Sequence, residues 1–287
     1  MTTLTQVYSF AFNDQVFGGA NSPYQILSVD GLESLPGIRN QDDNRGYHDG
    51  MFTGRDFLNG RTISIIFNTF GTAGGASAQT NYNTIQRALL PQTSGTTPLY
   101  FKFPNSPTSE QFVDARVRAL RTTVDPNYTY GYITSQVDFF CPDPNYYDNN
   151  LQTSVMAISA ALGRTYNREF NYTYGGGSST ITTTISNTGW ATTYPTITIT
   201  GPITNPIVGD TTSGDALYFT GTYSALDTLE IDLYNQLITL NGVAARNLLI
   251  SGTWFDAPPG NSLYYFTGTG TLAGTTQATV SWYSAYI

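Results

Sequence analysis

Lysine is almost missing from this chain. Lys102 is the only one in 287 residues, and glutamate occurs four times, as Glu33, Glu110, Glu169 and Glu230. Charged residues make up 11% of the sequence, less than half the usual share. Lys and Glu favour exposed helix faces, so their scarcity argues against a helical protein. The single cysteine, Cys141, forbids an internal disulfide and a multi-cysteine metal site. The single histidine, His48, excludes a multi-histidine zinc site and leaves a Ser–His–Asp triad only if His48 itself were the base. No apolar run approaches the ~20 residues of a membrane span, so no membrane insertion is expected. The opening MTTLTQVYSFAFND has no basic start, and the expectation is that it is no secretory signal. A net charge of −8 opposes wrapping of nucleic acid by the outer surface.

Thr, Asn, Ser, Gly, Tyr and Phe fill the space left by the charges, which is the vocabulary of strands and turns. Apolar residues at 40% allow a sizeable core, and 14% aromatic residues exclude a solvated disordered chain. Strands are predicted at 4–12, 23–32, 60–67, 98–103, 116–121 and 130–140. One helix is predicted at 78–90, where Ala78, Tyr82, Ile85 and Leu89 share a face and Pro91 stops it. Residues 36–50 are too polar and Gly-rich for a core and read as an exposed loop. Residues 142–178, with Pro, Asn and Tyr clusters and a closing Gly175-Gly176-Gly177, read as a boundary region. Within it, 151–162 fits both helix and strand. From 180 onward the chain reads as short strands and turns, with Asn241-Gly242 as the strongest hairpin signal. The fold class is therefore mainly β with one helix. The expected division is a first domain at 1–147, a boundary at 148–178 and a second domain at 179–287.

No constellation of residues points to catalysis, and no motif points to a cofactor or metal. Glu230 and Asp232 share a strand face about 7 Å apart at Cα, which is the pattern of a solvated strand. Asp42, Asp43 and Asp49 hint at a calcium loop, but Gly46 falls one place early for that motif and its closing Glu is absent. His48 reads as a surface residue and Cys141 as a structural one. Gly175-Gly176-Gly177 is followed by no lysine, so it is no phosphate loop. The tryptophans could offer platforms for sugars or fill the core. Alternation places Trp282 in the core, while Trp254 fits a core edge or an exposed ligand platform equally well. Arg45, Arg55 and Arg61 are candidates for contacts with neighbouring subunits, because arginine suits bidentate interface contacts. An ordinary solvated loop with arginines at a sheet edge explains them nearly as well.

Two separated stretches resemble the distal tail proteins of bacteriophages with long, non-contractile tails. The first runs over 24–67 (YQILSVDGLESLPGIRNQDDNRGYHDGMFTGRDFLNGRTISIIF). The second runs over 187–260, where NTGWATTYPTITITGPITNP, TTSGDALYF, LDTLEIDL, LITLNG and WFDAPPG follow in that family's order. CPDPNYYD resembles the phrase that closes the family's first domain. The resemblance implies a tail-tube-like β-sandwich or barrel with a flanking helix, followed by a galectin-like β-sandwich. It implies a hexameric ring, with the tail tube protein on one side and tail-tip, baseplate or receptor-binding proteins on the other. DNA would pass through the lumen without specific binding. The place implied is the distal end of the phage tail in the virion, after assembly in the bacterial cytoplasm.

The leading expectation is thus a structural virion protein without enzymatic activity. The alternative is a carbohydrate-binding or adhesion module that contacts the host surface. Galectin-type galactose binding relies on a histidine motif, and the second half of the chain has no histidine.

Overall fold

The computed structural model describes residues 4–71, 75–104, 110–158, 180–270 and 275–287. The chain divides into two compact units, Met1–Asn149 and Asn150–Tyr286.

In the first unit the strands run, in spatial order, Gln15–Gly18, Ser9–Phe12, Thr97–Lys102, Gln111–Thr123, Tyr132–Cys141, Arg61–Phe70 and Tyr24–Asp30. All neighbours are antiparallel. Strict alternation in the two central strands explains their pairing. Ile63, Ile65 and Phe67 are buried opposite Phe139, Val137 and Ser135, with the residues between them turned to the other face. The long strand Gln111–Thr123 serves two partners. Its first half pairs with Thr97–Lys102 and its second half with Tyr132–Cys141, and the register shifts between Val117 and Ala119. That bulge lets one strand bend from one layer into the next.

The helix spans Gly75–Ala88, starting three residues before the expected 78 and ending at Ala88. Ala78, Ile85 and Leu89 are buried as the spacing requires. The Tyr82 hydroxyl shares a hydrogen bond with Thr122 Oγ1 at 2.9 Å. The Asn81 side chain donates to the Phe70 carbonyl at 2.7 Å, fixing the helix to the end of a central strand. The core beneath holds Phe10, Phe12, Phe17, Ile63, Ile65, Phe67, Val137 and Phe139. Each such side chain contributes about 1.5–3 kcal/mol through burial.

The second unit is a β-sandwich. One sheet runs Gln152–Ala157, Gln277–Trp282, Thr196–Thr200, Thr228–Asp232, Leu237–Leu240 and Val243–Ala244. The other runs Ile181–Asn187, Gly260–Thr269, Ile203–Asp210, Ala216–Phe219 and Leu249–Gly252. Ile197, Leu229, Ile231 and Val280 from the first sheet meet Ile185, Val208, Leu217, Phe219 and Phe266 from the second in one cluster. Asn241 and Gly242 have φ of 51° and 79°, the double positive φ that a two-residue hairpin turn demands. Trp282 is buried and its indole N–H donates to the Ser186 carbonyl at 3.0 Å, so its assignment to the core holds.

Two segments differ from the sequence reading. Residues 152–157, read with the boundary region and left open between helix and strand, form a strand on Gln277–Trp282. The remainder of that ambiguous stretch, 159–162, lies outside the described residues, as does Gly175-Gly176-Gly177. Residues 36–50, expected as a loop, contribute to a narrow two-stranded arm.

Candidate functional site

The arm begins where the chain leaves the first sheet. Gly31 has φ of 81°, and a Cβ there would lie 2.0 Å from the Thr62 carbonyl oxygen, so only glycine makes this exit. The chain returns to the sheet at Arg61. Between them Ile38–Arg39 pairs with Phe57–Leu58, and Asp43–Asn44 pairs with Met51–Phe52. The base is closed by the Asn59 N–H donating to the Gly37 carbonyl at 2.8 Å. Asp42 tightens the middle, accepting from the Gly54 N–H at 2.9 Å and from the Asn40 amide at 3.0 Å. Asp42 thus acts as an acceptor that closes the turn. Asp43 accepts from the Asn44 N–H.

Nearly every residue of the arm is exposed, His48 included. Among them are large apolar side chains: Tyr47 is 98% exposed, and Ile38, Met51, Phe52 and Leu58 stand open as well. Ile38 and Leu58 are direct cross-strand partners. Single exposed apolar residues are ordinary, but a row of them along one thin ribbon marks an interaction surface. Arginines lie over the arm's rings. Arg45 sits 5.0 Å from the centre of Phe52, and Arg55 and Arg39 sit 5.2 and 5.3 Å from that of Phe57.

The structure therefore brings Arg45 and Arg55 together on the arm and separates Arg61 from them. Arg61 is only 3% exposed, so in this chain it does not reach a neighbour. Its Nη1 donates to the Leu32 carbonyl at 2.8 Å, and its guanidinium stacks 4.1 Å from the centre of the Tyr146 ring. The Tyr146 hydroxyl bonds both Arg61 and the Leu32 carbonyl. Burial lowers the Arg61 pKa, and nearby Cys141 and Asp143 oppose that shift. Arg61 thus anchors the root of the arm. Sequence reasoning missed the apolar residues of the arm, because they follow neither helical nor strand periodicity.

The other candidates resolve as structural. Trp254 is half-buried, and the Arg246 guanidinium covers its ring at 4.9 Å, so the nominated platform is not a free face. Asp232 accepts from the N–H groups of Tyr234 and Asn235 and from the Asn235 side chain, closing a turn. Cys141 is fully buried, and burial pushes its thiol up to about 12. A thiol reagent should modify it on the order of a thousandfold more slowly in the folded chain than in denaturant. Equal rates in a stopped-flow labelling assay would contradict that burial.

No curated protein matches the sequence. The family model of the siphovirus-type tail component, C-terminal domain, matches residues 188–286. Among solved structures, the Dit protein (gp 19.1) of phage SPP1 aligns with a TM-score of 0.66 at 16% identity, over 98% of this chain and all of that one. It is described as a paradigm of the hub adsorption apparatus of phages infecting Gram-positive bacteria. A chain of the phage P2 baseplate, in its activated conformation with calcium, aligns with a TM-score of 0.50 at 11% identity, over 96% of this chain and 97% of that one. The same baseplate with strontium gives 0.52 at 13% identity, over 96% of each chain. Residues 188–286 thus match the C-terminal domain of the siphovirus-type tail component, and from end to end the chain has the fold of SPP1 Dit.

Proposed function

We propose that the protein is a ring-forming adaptor at the distal end of a long, non-contractile phage tail. In this reading it joins the tail tube to the tip or baseplate and catalyses nothing. The first domain, 1–147, forms the ring. The second, 179–287, lies at its periphery and carries tip or receptor-binding proteins. The observation that carries the reading is the arm. A two-stranded ribbon alone is marginally stable in water, and this one exposes apolar side chains on a unit that already has a complete core. A neighbouring copy of the same chain gives those side chains a partner. The family match of the second unit to a siphovirus-type tail component supports a tail setting for that copy. The deficit of basic residues fits a channel that lets DNA through without holding it. For the carbohydrate-binding alternative, Arg246 covers one face of Trp254, one of the rings that could serve as a sugar platform.

Size exclusion with light scattering, followed by negative-stain imaging, tests this directly. Six copies of the 31.3 kDa chain give a particle of about 188 kDa with a central hole. A species of 31.3 kDa at every concentration, with no rings in the images, would remove the ring from the proposal.

A further inference from the structure

The first unit has an open groove beside its outermost strand, Tyr24–Asp30. The cavity measures about 600 Å³, and its apolar lining comes from Tyr8, Ile26, Leu27, Val29 and Phe103. Two irregularities of the backbone shape it. Leu27 is the extra residue where the register against Arg61–Phe70 shifts between Ile26 and Ser28, and it stands 54% exposed. Tyr8 has φ of 56°, a left-handed conformation that any residue with a Cβ adopts at a cost. Its N–H donates to the Lys102 carbonyl at 2.8 Å, which holds it there. The Tyr8 ring lies edge-on to Phe103 at 5.5 Å, yet the residue remains 60% exposed. Val7 beside it is exposed as well. Strained backbone of this kind persists only where the surroundings over-determine it, and it gathers at functional surfaces.

The groove and the arm share a deficiency. Each presents apolar side chains to water, and neither covers the other within one chain. An arm that paired with a second arm would make a two-fold contact and stop at two copies. A cyclic ring needs a head-to-tail contact, in which two different surfaces of the chain meet. The arm and the groove are two such surfaces on one unit. Their charges are complementary too. Residues 4–30, which supply most of the groove, contain Asp14 and Asp30 and no basic residue. Lys102, next to Phe103, gives its amine to the Leu4 carbonyl at 3.1 Å. The arm brings Arg39, Arg45 and Arg55, all exposed. Of its four acids, Asp42 and Asp43 already accept hydrogen bonds inside the arm, which leaves Asp49 and Asp56. Opposite charges of this kind fix the register of a contact more than its strength.

We propose that this groove receives the arm of a second copy of the chain, with Tyr47, Met51 and Phe52 of the distal arm seated against Tyr8, Leu27 and Phe103. The inference rests on the ring-forming reading and names the surface that reading requires. Ile38 and Leu58 stay at the root, close to their own sheet, because the Asn59 N–H and the Gly37 carbonyl close the arm's base. The distal side chains are the ones that reach out. Seated in the groove, they form the central water-excluding cluster on which an interface depends, with the arginines at its rim.

Photo-crosslinking of the full-length protein tests the pairing. The chain carrying p-benzoylphenylalanine in place of Leu27 is irradiated as rings, and the joined peptides are read by mass spectrometry. A product of twice the chain mass is expected, with the probe attached within residues 38–58 of the second copy. Attachment within the same chain, or to any other segment of the neighbour, would overturn the proposal and leave the ring standing. Leu27→Asp covers the case in which the probe itself blocks the groove. Leu27 is exposed in the single chain, so this variant should melt within about 3 °C of the parent. Its rings should give way to single chains at a concentration on the order of tenfold higher than the parent's. Rings as persistent as the parent's would overturn the groove and not the ring. A parent that stays a single chain at every concentration would remove both.

Discussion

Replacing residues 38–58 by a two-residue turn should leave the protein folded and unable to form rings. The deletion joins Gly37 to Asn59, which are already held together by a backbone hydrogen bond of 2.8 Å, so the new turn closes a gap the structure has closed. No residue of the first unit's core lies in the deleted stretch. Shortening a surface loop changes its closure entropy by well under ~2 kcal/mol, so the melting temperature should stay within about 5 °C of the parent. Assembly should respond very differently. The arm holds Ile38, Tyr47, Met51, Phe52 and Leu58, the open apolar side chains most able to anchor an interface, together with Arg45 and Arg55. Losing several anchors at once exceeds what the remaining rim contacts of an interface usually supply. Light scattering should find the deleted protein at the mass of a single chain under conditions where the parent forms about 188 kDa particles. A folded deletion variant that still assembles would show that the arm is not the interface. A variant that unfolds would show that the arm supports its own unit, against its exposure. Replacing Arg45 and Arg55 by alanine should weaken the ring less than the deletion, since both arginines are exposed and exposed cation–π contacts are worth only about 0.5–1 kcal/mol each.

The contrast between the arm and the sheets shows what the sequence could disclose. Strands Arg61–Phe70 and Tyr132–Cys141 were readable because one face of each is fully buried, which forces the alternation of apolar and polar residues. The helix was readable because Ala78, Ile85 and Leu89 must all meet the same core. The arm buries no face, so no period marks it, and its apolar residues vanish into a polar average. Ile203–Asp210 carries a weak sequence signal for another reason. Pro206 reads as a strand breaker, but the register shifts between Thr204 and Ile207, and Asn205 adopts φ of 49°. The proline, which has no N–H to give, therefore falls in the bulge where the ladder is already interrupted. Arg61 was nominated for a subunit contact because arginine suits bidentate interface contacts, a preference that carries no information on burial. Only the fold shows the Leu32 carbonyl and the Tyr146 ring waiting for it. The family phrase NTGW was legible as a turn, but its purpose is visible only in three dimensions.

That purpose predicts the largest effect of a single substitution in the second unit. Asn187 is 1% exposed and saturates its side chain with backbone partners. Its Nδ2 donates to the carbonyls of Ala191 (2.8 Å) and Ala257 (3.1 Å). Its Oδ1 accepts from the N–H groups of Gly189 (3.1 Å) and Ala285 (3.3 Å). One amide thus ties the turn after its own strand to two segments about 70 and 98 residues further along the chain. The chain passes so close here that a Cβ on Gly189 would lie 1.8 Å from the Ala285 carbonyl oxygen. Asn187→Ala would take the amide away from the Gly189 and Ala285 N–H groups and from the Ala191 carbonyl, and would leave the Ala257 carbonyl only its bond from the Thr193 N–H, in a space that admits little water. The cost should be about 3–5 kcal/mol, a drop on the order of 10–20 °C in the melting of the second unit. Asn187→Asp should be at least as damaging, because it turns a carboxylate oxygen toward the two carbonyls that the amide N–H groups now satisfy. Calorimetry of the full-length variants measures both. A loss below about 1 kcal/mol for Asn187→Ala would mean that water or a backbone shift replaces the amide, and that this junction is not what holds the three segments together.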